Sequence, residues 1–232
     1  MVEIQKGVHQ VDGVNANCYI IQGSDGSLIL IDSGMSKEGK KILEYIQGNL
    51  SKKLSELNTI VLTHAHPDHI RGALEIKNAT GARVMIHDMD ADYLSGQKKL
   101  PTPKGMVGFL FRLIAPFIRS PSFESDSRLK ESDRIGSSLV VMHTPGHTPG
   151  SISLYDENKK LMFVGDAIIS GKKGLEGPPR QFTLDYLQAI DSIEKISSVE
   201  FSLLLSGHGR ILKATGSEDV KRLALALKNE FH

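Results

Sequence analysis

The sequence predicts an α/β protein, because two kinds of apolar segment alternate along the chain. Short and nearly continuous apolar runs, such as 59–63 and 201–205, are typical of buried strands. Longer segments between such runs repeat apolar residues at every third or fourth position, as in 36–50, and this spacing is typical of helices. The alternation of strands and helices along the chain predicts sheets that are covered by helices.

The first half of the chain opens with a predicted hairpin. Strands at 17–22 and 28–32 flank the turn sequence Gly23-Ser24-Asp25-Gly26. The elements expected after this hairpin are a helix at 36–50, a strand at 59–63, a helix that includes Leu74 and Ile76, and a strand at 83–86.

The second half follows an irregular stretch and again alternates strands with helices. Its predicted elements are strands at 138–142, 151–155 and 161–164, a helix at 185–196, a strand at 201–205 and a helix at 220–231. Thr183 is well placed to cap the helix at 185–196, because threonine hydroxyls accept hydrogen bonds from the free N–H groups of a first helical turn.

Composition and charge are those of an enzyme of ordinary size. The chain has 232 residues, of which 40% are hydrophobic, so it can bury a sizeable core, and we expect a single domain over residues 1–232. The net charge is +1, from 28 basic and 27 acidic residues. This balance argues against a nucleic acid or an anionic membrane as a partner.

Sequence features that would indicate export or membrane insertion are not evident. No run of about 18 apolar residues occurs, so no membrane insertion is expected. Residues 1–10 contain nothing like the apolar core of a signal peptide. The single cysteine, Cys18, excludes an internal disulfide and is expected to be a small buried side chain. These features favour a cytoplasmic protein.

Side chains that bind metals follow four of the predicted strands directly. The run after strand 59–63 has the form His-x-His-x-Asp-His, and single groups follow three later strands. Imidazole and carboxylate ligands suit zinc and similar divalent ions, and strand ends can meet at one sheet edge. We therefore predict one metal site, which two ions could share, formed by His64, His66, Asp68, His69, His147, Asp166 and His208.

These motifs, together with Leu30-Ile31-Asp32-Ser33-Gly34 upstream, resemble the metallo-β-lactamase superfamily over nearly the full length. The compact chain is most similar to its branch of small hydrolases related to glyoxalase II. The resemblance implies a four-layer αβ/βα sandwich, in which two mixed β-sheets lie face to face and helices cover their outer faces. It also implies that the metals lie at one edge of the sandwich.

The resemblance further implies how the ligands divide between two metals. His64, His66 and His147 would hold the first metal, and Asp68, His69 and His208 the second. Asp166 would bridge the two metals, and Asp32 would steady the loop that carries the ligands. Two Zn²⁺ ions are expected, with Fe or Mn as alternatives.

A dinuclear site of this kind predicts a hydrolase. A hydroxide that bridges the metals would attack an ester, a thioester or a lactone of a small-molecule substrate. Asp68 is the expected catalytic side chain, which would orient the nucleophile or carry a proton to the leaving group. Two alternatives stay open, an iron-dependent oxidoreductase similar to persulfide dioxygenases and a phosphodiesterase.

The stretch at about 94–134 is expected to be an insertion specific to this chain. Within it, segment 105–118 is strongly apolar but too short to span a bilayer. Three roles remain open for this segment, namely a buried helical insertion, a cover over the metal cleft that favours an apolar acyl group, and a homodimer contact. Outside the site, His143 is expected to be packed or hydrogen-bonded rather than to bind a metal.

Overall fold

Two β-sheets and their flanking helices make up the described part of the protein, which is a computed structural model covering residues 2–99, 101, 122–212 and 215–230. The first sheet has seven strands in sequence order, with β1–β4 antiparallel and β4–β7 parallel. Its strands are Val2–Gln5 (β1), Val8–Gln10 (β2), Tyr19–Gln22 (β3), Leu28–Ile31 (β4), Leu57–Leu62 (β5), Arg83–His87 (β6) and Ser127–Leu129 (β7).

The second sheet has five strands in the order β14-β11-β10-β9-β8, and only the β11–β14 pair is parallel. Its strands are Arg134–Ile135 (β8), Leu139–His143 (β9), Ile152–Asp156 (β10), Leu161–Gly165 (β11) and Leu203–Ser206 (β14). A small two-stranded ribbon, Ile169–Ser170 (β12) and Leu175–Glu176 (β13), follows β11. Both large sheets are therefore mixed.

Helices lie on the two outer faces of this pair of sheets. The described helices are Gly39–Glu44 (α1), Pro67–Ile70 (α2), Ala73–Thr80 (α3), Asp88–Leu94 (α4), Tyr186–Ser197 (α5) and Ser217–Asn229 (α6). A π-helical turn, Tyr45–Asn49, extends α1, and 3₁₀ turns occur at Leu54–Glu56 and Arg180–Phe182. Among the described residues, none of the helices has the length and apolar character needed to cross a membrane.

Three apolar clusters hold the layers together. In the central cluster, Tyr19 of the first sheet meets Phe163 of the second edge-on, with ring centroids 5.3 Å apart. A second cluster joins α1 and α3 to the first sheet, and a third joins α5 and α6 to the second sheet. Each fully buried side chain of this size stabilises the fold by about 1.5–3 kcal/mol. The predicted four-layer αβ/βα sandwich is confirmed.

Most predicted elements lie within a few residues of the observed ones. The turn between β3 and β4 closes through a hydrogen bond from the Gly23 N–H to the Ser27 carbonyl, as expected for a hairpin. Cys18 lies just before β3 and is fully buried. The long helix expected at 36–50 begins later, at Gly39, and its last turn is π-helical.

The predicted cap of α5 was wrong. Asp185 is the capping residue, because its carboxylate accepts a hydrogen bond from the Gln188 N–H at 2.9 Å. Thr183 lies two residues too early to reach the first turn of the helix. Its hydroxyl donates instead to the Pro179 carbonyl and also lies beside the ring of His147.

The stretch expected to be irregular at about 94–134 contains a strand. Ser127–Leu129 forms the edge strand β7, whose three residues are too few to give a recognisable alternation in the sequence. Asp126 fixes its start by accepting a hydrogen bond from the Val84 N–H at 2.7 Å. Segment 105–118 lies outside the described residues, so its three possible roles stay predictions.

Candidate metal centre

The C-terminal ends of the neighbouring parallel strands β4 and β5 place the first group of polar side chains. Ile31 pairs with Val61, so Asp32 and Thr63 emerge side by side at the end of the sheet. Asp32 has a left-handed backbone with φ 59°, a conformation that aspartate tolerates better than most residues. This bend turns its carboxylate towards Thr63 and His69.

The His-x-His-x-Asp-His run changes from loop to helix in its middle. His66 is extended, as favoured before a proline, and Pro67 then starts α2 at the helix position that proline tolerates best. The His66 carbonyl accepts hydrogen bonds from the N–H groups of His69 and Ile70. Loop and first helical turn are thereby folded against each other, and all four potential ligands lie together.

The second sheet supplies the remaining side chains from the same edge. Because β11 and β14 are parallel, Asp166 and His208 follow strand ends that lie next to each other. Gly207 permits this arrangement, since a Cβ atom there would lie 2.4 Å from Asp166 Oδ1 and 2.8 Å from His69 Cε1. His147 comes from the loop between β9 and β10.

Three histidines, which we call the three-histidine group, converge at one side of the site. His66 Nδ1 lies 3.1 Å from His64 Nε2 and 2.8 Å from His147 Nε2. One ligand atom from each of these side chains lies within 4.8 Å of the others, an arrangement that can hold a metal ion. The predicted members His64, His66 and His147 are therefore brought together.

A second set, which we call the mixed group, consists of Asp68, His69 and His208. His208 Nε2 lies 3.1 Å from Asp68 Oδ2 and 3.4 Å from His69 Nε2. Their ligand atoms also lie within 4.8 Å of one another. Asp68 and His208 face outwards, with 31% and 27% of their side-chain surfaces exposed, whereas His69 is fully buried.

Asp166 lies between the two groups. Its Oδ1 is 3.5 Å from His69 Nε2, and its Oδ2 is 3.6 Å from both His147 Nε2 and His208 Nε2. Oδ1 is buried and has no hydrogen-bond partner within the described part of the chain. A buried carboxylate oxygen without a partner is costly, and a cation held between the groups would relieve that cost. The side chains present therefore fit divalent ions.

Hydrogen bonds behind the site orient three of the imidazole rings. His69 Nδ1 lies 2.8 Å from Asp32 Oδ2, His64 Nδ1 lies 3.1 Å from Thr63 Oγ1, and His147 Nδ1 lies 3.3 Å from Thr183 Oγ1. Such contacts select the tautomer whose Nε2 lone pair points into the site. The sequence predicted this supporting position for Asp32 but not for the two threonines.

Asn17 holds the loop that carries His208, and the sequence offered no signal for it. Its side-chain amide donates to the carbonyls of Ser206 and Gly209 at 2.9 and 2.8 Å, and its backbone N–H donates to the Gly207 carbonyl at 2.7 Å. These contacts join the start of β3 to the end of β14, which are far apart in the chain. Only the folded chain brings them together.

Burial sets the protonation of the three-histidine group. It lowers the pKa of His66 to about 4 and holds the pKa values of His64 and His147 well below their usual range. Removing a charged imidazolium from water is unfavourable, and the neighbouring histidines add to this effect. At neutral pH these three rings are uncharged and keep the lone pairs that metal binding requires.

Carboxylates reverse this trend in the mixed group. Burial alone would lower the pKa of His69, but Asp32 and Asp166 outweigh it and raise that pKa to about 10. Burial is likewise outweighed at His208, whose pKa is raised by its hydrogen bond to Asp68. In Asp68, burial opposes ionisation, but the hydrogen bond from His208 and nearby histidines hold the pKa below its usual range. The mixed group therefore attracts positive charge, either protons or a metal ion.

A cavity of about 510 Å³ opens directly above these side chains. Its base includes five of the predicted ligands, namely His66, Asp68, His147, Asp166 and His208. Its lining also includes the apolar residues Met35, Pro67, Ile169, Phe182 and Leu184. Arg71 and Asn15 also line the cavity. A small molecule with an apolar part could place its reactive bond over the candidate metal site.

His143 lies outside the site, as the sequence predicted. Its Nε2 lies 2.8 Å from the Pro149 carbonyl oxygen, and its ring stacks on His87 with centroids 4.0 Å apart. It is thus packed and hydrogen-bonded behind the loop that carries His147.

The family of this chain follows from the match to a known superfamily. Residues 11–208 match the sequence model of the metallo-beta-lactamase superfamily. The chain belongs to this superfamily. The superfamily and the names of the curated relatives indicate a metallo-hydrolase.

Three curated relatives cover most of the chain. A probable metallo-hydrolase of Bacillus subtilis, YflN, is 33% identical and covers 89% of this chain and 85% of its own. The hydroxyacylglutathione hydrolase GloC of Haemophilus influenzae is 26% identical, with coverages of 86% and 88%. The acyl-coenzyme A thioesterase MBLAC2 of Bos taurus is 27% identical, with coverages of 91% and 78%.

Solved structures of the superfamily share the fold at low sequence identity. A mutant metallo-beta-lactamase from Cronobacter sakazakii matches with a TM-score of 0.74 at 20% identity, covering 99% of this chain and 96% of its own. A di-iron-bound form of TTHA1623 matches with a TM-score of 0.68 at 23% identity (89% and 94% covered). The di-zinc enzyme LRA-12 from an Alaskan soil metagenome gives 0.69 at 19% identity (97% and 90% covered).

Proposed function

We propose that the protein hydrolyses small-molecule thioesters at a centre of two divalent metal ions. One observation carries the proposal, namely that two groups of potential ligands lie on either side of Asp166, at a cavity that apolar side chains also line. The apolar lining offers a place for an acyl chain, and the candidate ligands offer a place for the carbonyl to be attacked. Esters and lactones contain the same electrophilic carbonyl and are the nearest alternatives.

In this proposal each group of side chains holds one ion. The three-histidine group would hold the first ion and the mixed group would hold the second, and Asp166, which lies between the two groups, would contribute to both. Donor chemistry supports zinc, because neutral imidazole and carboxylate are ligands that zinc takes readily. Iron and manganese also accept these ligands.

The ions and the protein contribute different parts of the chemistry. When bound, divalent ions supply a water of lowered pKa and polarise the carbonyl that is attacked. Asp68 lies at the base of the cavity with a half-buried carboxylate whose pKa is low, so it is ionised at neutral pH and can accept a proton. We propose that it orients the attacking water and passes a proton to the leaving thiol.

Two curated relatives support a thioester rather than another ester. Hydroxyacylglutathione and acyl-coenzyme A, which appear in the names of GloC and MBLAC2, are both thioesters. Phe182 and Leu184 in the cavity lining support the acyl side of such a substrate, because both side chains have exposed apolar surface.

A panel of substrates tests this proposal. Purified protein would be assayed with acyl thioesters of increasing chain length, with lactones and nitrophenyl esters, and with bis-nitrophenyl phosphate, each with and without a chelator. Elemental analysis of the same preparation would give the metal content. We expect about two zinc ions per chain and thioester turnover that the chelator abolishes.

Two results would contradict hydrolysis of any carboxylic ester or thioester. Selective cleavage of the phosphodiester would indicate a phosphodiesterase. Iron in the preparation, with oxygen consumed in the presence of a persulfide and no thioester cleaved, would indicate the oxidoreductase alternative. A preference for lactones or oxygen esters would contradict the thioester as substrate but would still agree with a metal-dependent hydrolase.

A further inference from the structure

Asp90 is a buried carboxylate that the sequence did not single out and that lies next to the candidate metal centre without entering it. It belongs to the first turn of α4 and is 0% exposed. Its Oδ2 accepts hydrogen bonds from the Ala65 N–H at 2.8 Å and from the Thr148 hydroxyl at 2.7 Å. Its Oδ1 accepts one from the Gly150 N–H at 2.6 Å.

These three donors belong to the two loops that carry the three-histidine group. Ala65 lies between His64 and His66, and Thr148 directly follows His147. One loop follows β5 of the first sheet, and the other joins β9 to β10 of the second sheet. A single side chain therefore links the segments that position all three histidines. Within the described part of the chain, Asp90 makes no such contact with the loop that carries His208.

Gly150 shows that the chain leaves room for this contact. A Cβ atom at position 150 would lie 2.6 Å from the Cβ, the backbone nitrogen and the Oδ1 of Asp90. Atoms do not approach so closely, and two of the three belong to backbone or to the root of the side chain. Glycine is therefore required here by the approach of Asp90.

The hydroxyl groups beside Asp90 are oriented by its carboxylate oxygens. The Thr148 hydroxyl donates its proton to Asp90 Oδ2. Thr148 Oγ1 is then free to accept from the Ser151 hydroxyl at 2.8 Å, and Ser151 Oγ accepts from the Thr148 N–H at 3.0 Å. Every donor in this network has one acceptor. The loop after His147 is thereby held in one arrangement.

We propose that Asp90 is a positioning residue, which fixes the geometry of the three-histidine metal site by clamping its two ligand loops together. The inference rests on the proposed function only in so far as His64, His66 and His147 bind a metal. A ligand site must hold its donors within a fraction of an ångström, and supporting contacts behind the ligands provide that accuracy.

The substitution Asp90→Asn tests the clamp with little change of volume. One carboxylate oxygen becomes an NH₂ group, which must face an N–H or hydroxyl donor. We expect the affinity of the three-histidine group for its zinc ion to fall about 10-fold or more. Competition with a chromogenic chelator would measure this affinity. The affinity for the other ion should stay close to that of the wild type. Cobalt loaded in place of zinc should show an altered absorption spectrum, which reports ligand geometry directly.

Asp156→Asn is the matched control. Asp156 is also 0% exposed and accepts hydrogen bonds from two backbone N–H groups, those of Asn158 and Lys159, at 3.0 Å each. It is the last residue of β10, at the opposite end of that strand from the His147 loop. A general loss of stability would appear in both variants, whereas a changed cobalt spectrum should appear only in Asp90→Asn.

A second pair of variants covers the case in which Asp90→Asn does not fold. Thr148→Val removes one hydroxyl from the clamp at nearly constant shape, and Thr148→Ser keeps that hydroxyl. We expect Val to weaken zinc binding and to change the cobalt spectrum, and Ser to restore both towards the wild type. Unchanged zinc affinity and an unchanged spectrum in Thr148→Val, or an equal effect of Thr148→Ser, would overturn the inference.

Failure of the proposed substrate would be distinguishable from failure of this inference. Zinc affinities and cobalt spectra require no substrate. Wild-type protein that binds metal but cleaves no thioester would contradict the proposed function alone.

Discussion

The three-histidine group and the mixed group lie at the same sheet edge but differ in burial and charge. His64 and His147 are almost completely buried, whereas Asp68 and His208 open towards the cavity. The first group consists of imidazoles that burial keeps neutral. The second contains a carboxylate, and its histidines hold protons more strongly than usual.

This difference suggests different roles for the two ions proposed above. Neutral donors can bind a metal near pH 7 without first losing protons, whereas the histidines of the mixed group must release theirs. We therefore expect the ion of the three-histidine group to be held more tightly. The ion of the mixed group, next to the half-buried Asp68 that lines the cavity, is the better placed to exchange ligands with a substrate.

Of the substitutions that test this difference between the two groups, His66→Ala is expected to have the largest effect on turnover and metal content. It removes the nitrogen that lies between His64 and His147, so the first ion would keep too few ligands. We expect turnover to fall to the level of the chelated protein and metal content to fall with it, while circular dichroism shows a folded chain. His9→Leu is the control, since His9 is also buried but lies away from the site. Near-native turnover in His66→Ala would refute the assignment.

Asp68→Asn should have the next largest effect, and it acts on the mixed group alone. The amide cannot accept the proton that we assign to Asp68, and it binds a metal less well than the carboxylate. We expect turnover to fall roughly 10²–10⁴-fold, the usual contribution of a general acid or base. Elemental analysis should still find the first ion. Loss of both ions would show that the two groups do not bind independently.

The candidate ligands were predictable from sequence because their chemistry is local. His64, His66, Asp68 and His69 lie within one short run, and His147, Asp166 and His208 each follow an apolar strand. Ligand-type residues at strand ends indicate a site even before the fold is known. Alternating apolar runs predicted the sheets for the same reason, whereas β7 was missed because three residues carry too little pattern.

The supporting contacts were not predictable because they join segments that are distant in the chain. Asp90, Asn17 and Thr183 are ordinary polar residues whose roles depend on which loop lies opposite. Thr183 was expected to cap a helix, a common role for its residue type, and lies instead beside His147. A single domain over 1–232, a dimer contact at 105–118 and a cytoplasmic location stay predictions.

Asp32→Asn and Thr183→Val test the contacts that orient one histidine in each group, His69 in the mixed group and His147 in the three-histidine group. Asparagine would turn an N–H donor towards His69 Nδ1 and favour the tautomer in which Nε2 carries the proton and cannot bind a metal. We expect the affinity for the second ion to fall about 10- to 100-fold. Thr183→Val should lower the affinity for the first ion by less than about 10-fold, because the contact between Thr183 and His147 is long, at 3.3 Å. Titration with a competing chelator measures both, and a larger effect of Thr183→Val would reverse the comparison.

The smallest expected effect concerns the metal-free protein and the pH dependence of its free energy of unfolding. Stability should fall on both sides of a maximum, on an acid limb and on an alkaline limb. His66 has a pKa of about 4 when folded and about 6.5 when unfolded, so the unfolded chain binds more protons between these values. The free energy of unfolding should therefore fall as the pH falls from about 6.5 towards 4. His69 behaves oppositely, since its folded pKa of about 10 makes the native state keep a proton that the unfolded chain releases.

Stability should therefore also fall as the pH rises from about 6.5 towards 10, and the metal-free protein should be most stable near the ordinary pKa of histidine. Urea unfolding of chelated protein at pH 5, 6.5 and 9 would measure both limbs. His66→Ala should reduce the acid limb and leave the alkaline one, whereas His69→Asn should do the reverse. If each variant changed both limbs equally, the two groups would titrate as one unit, and the contrast in charge between them would not hold.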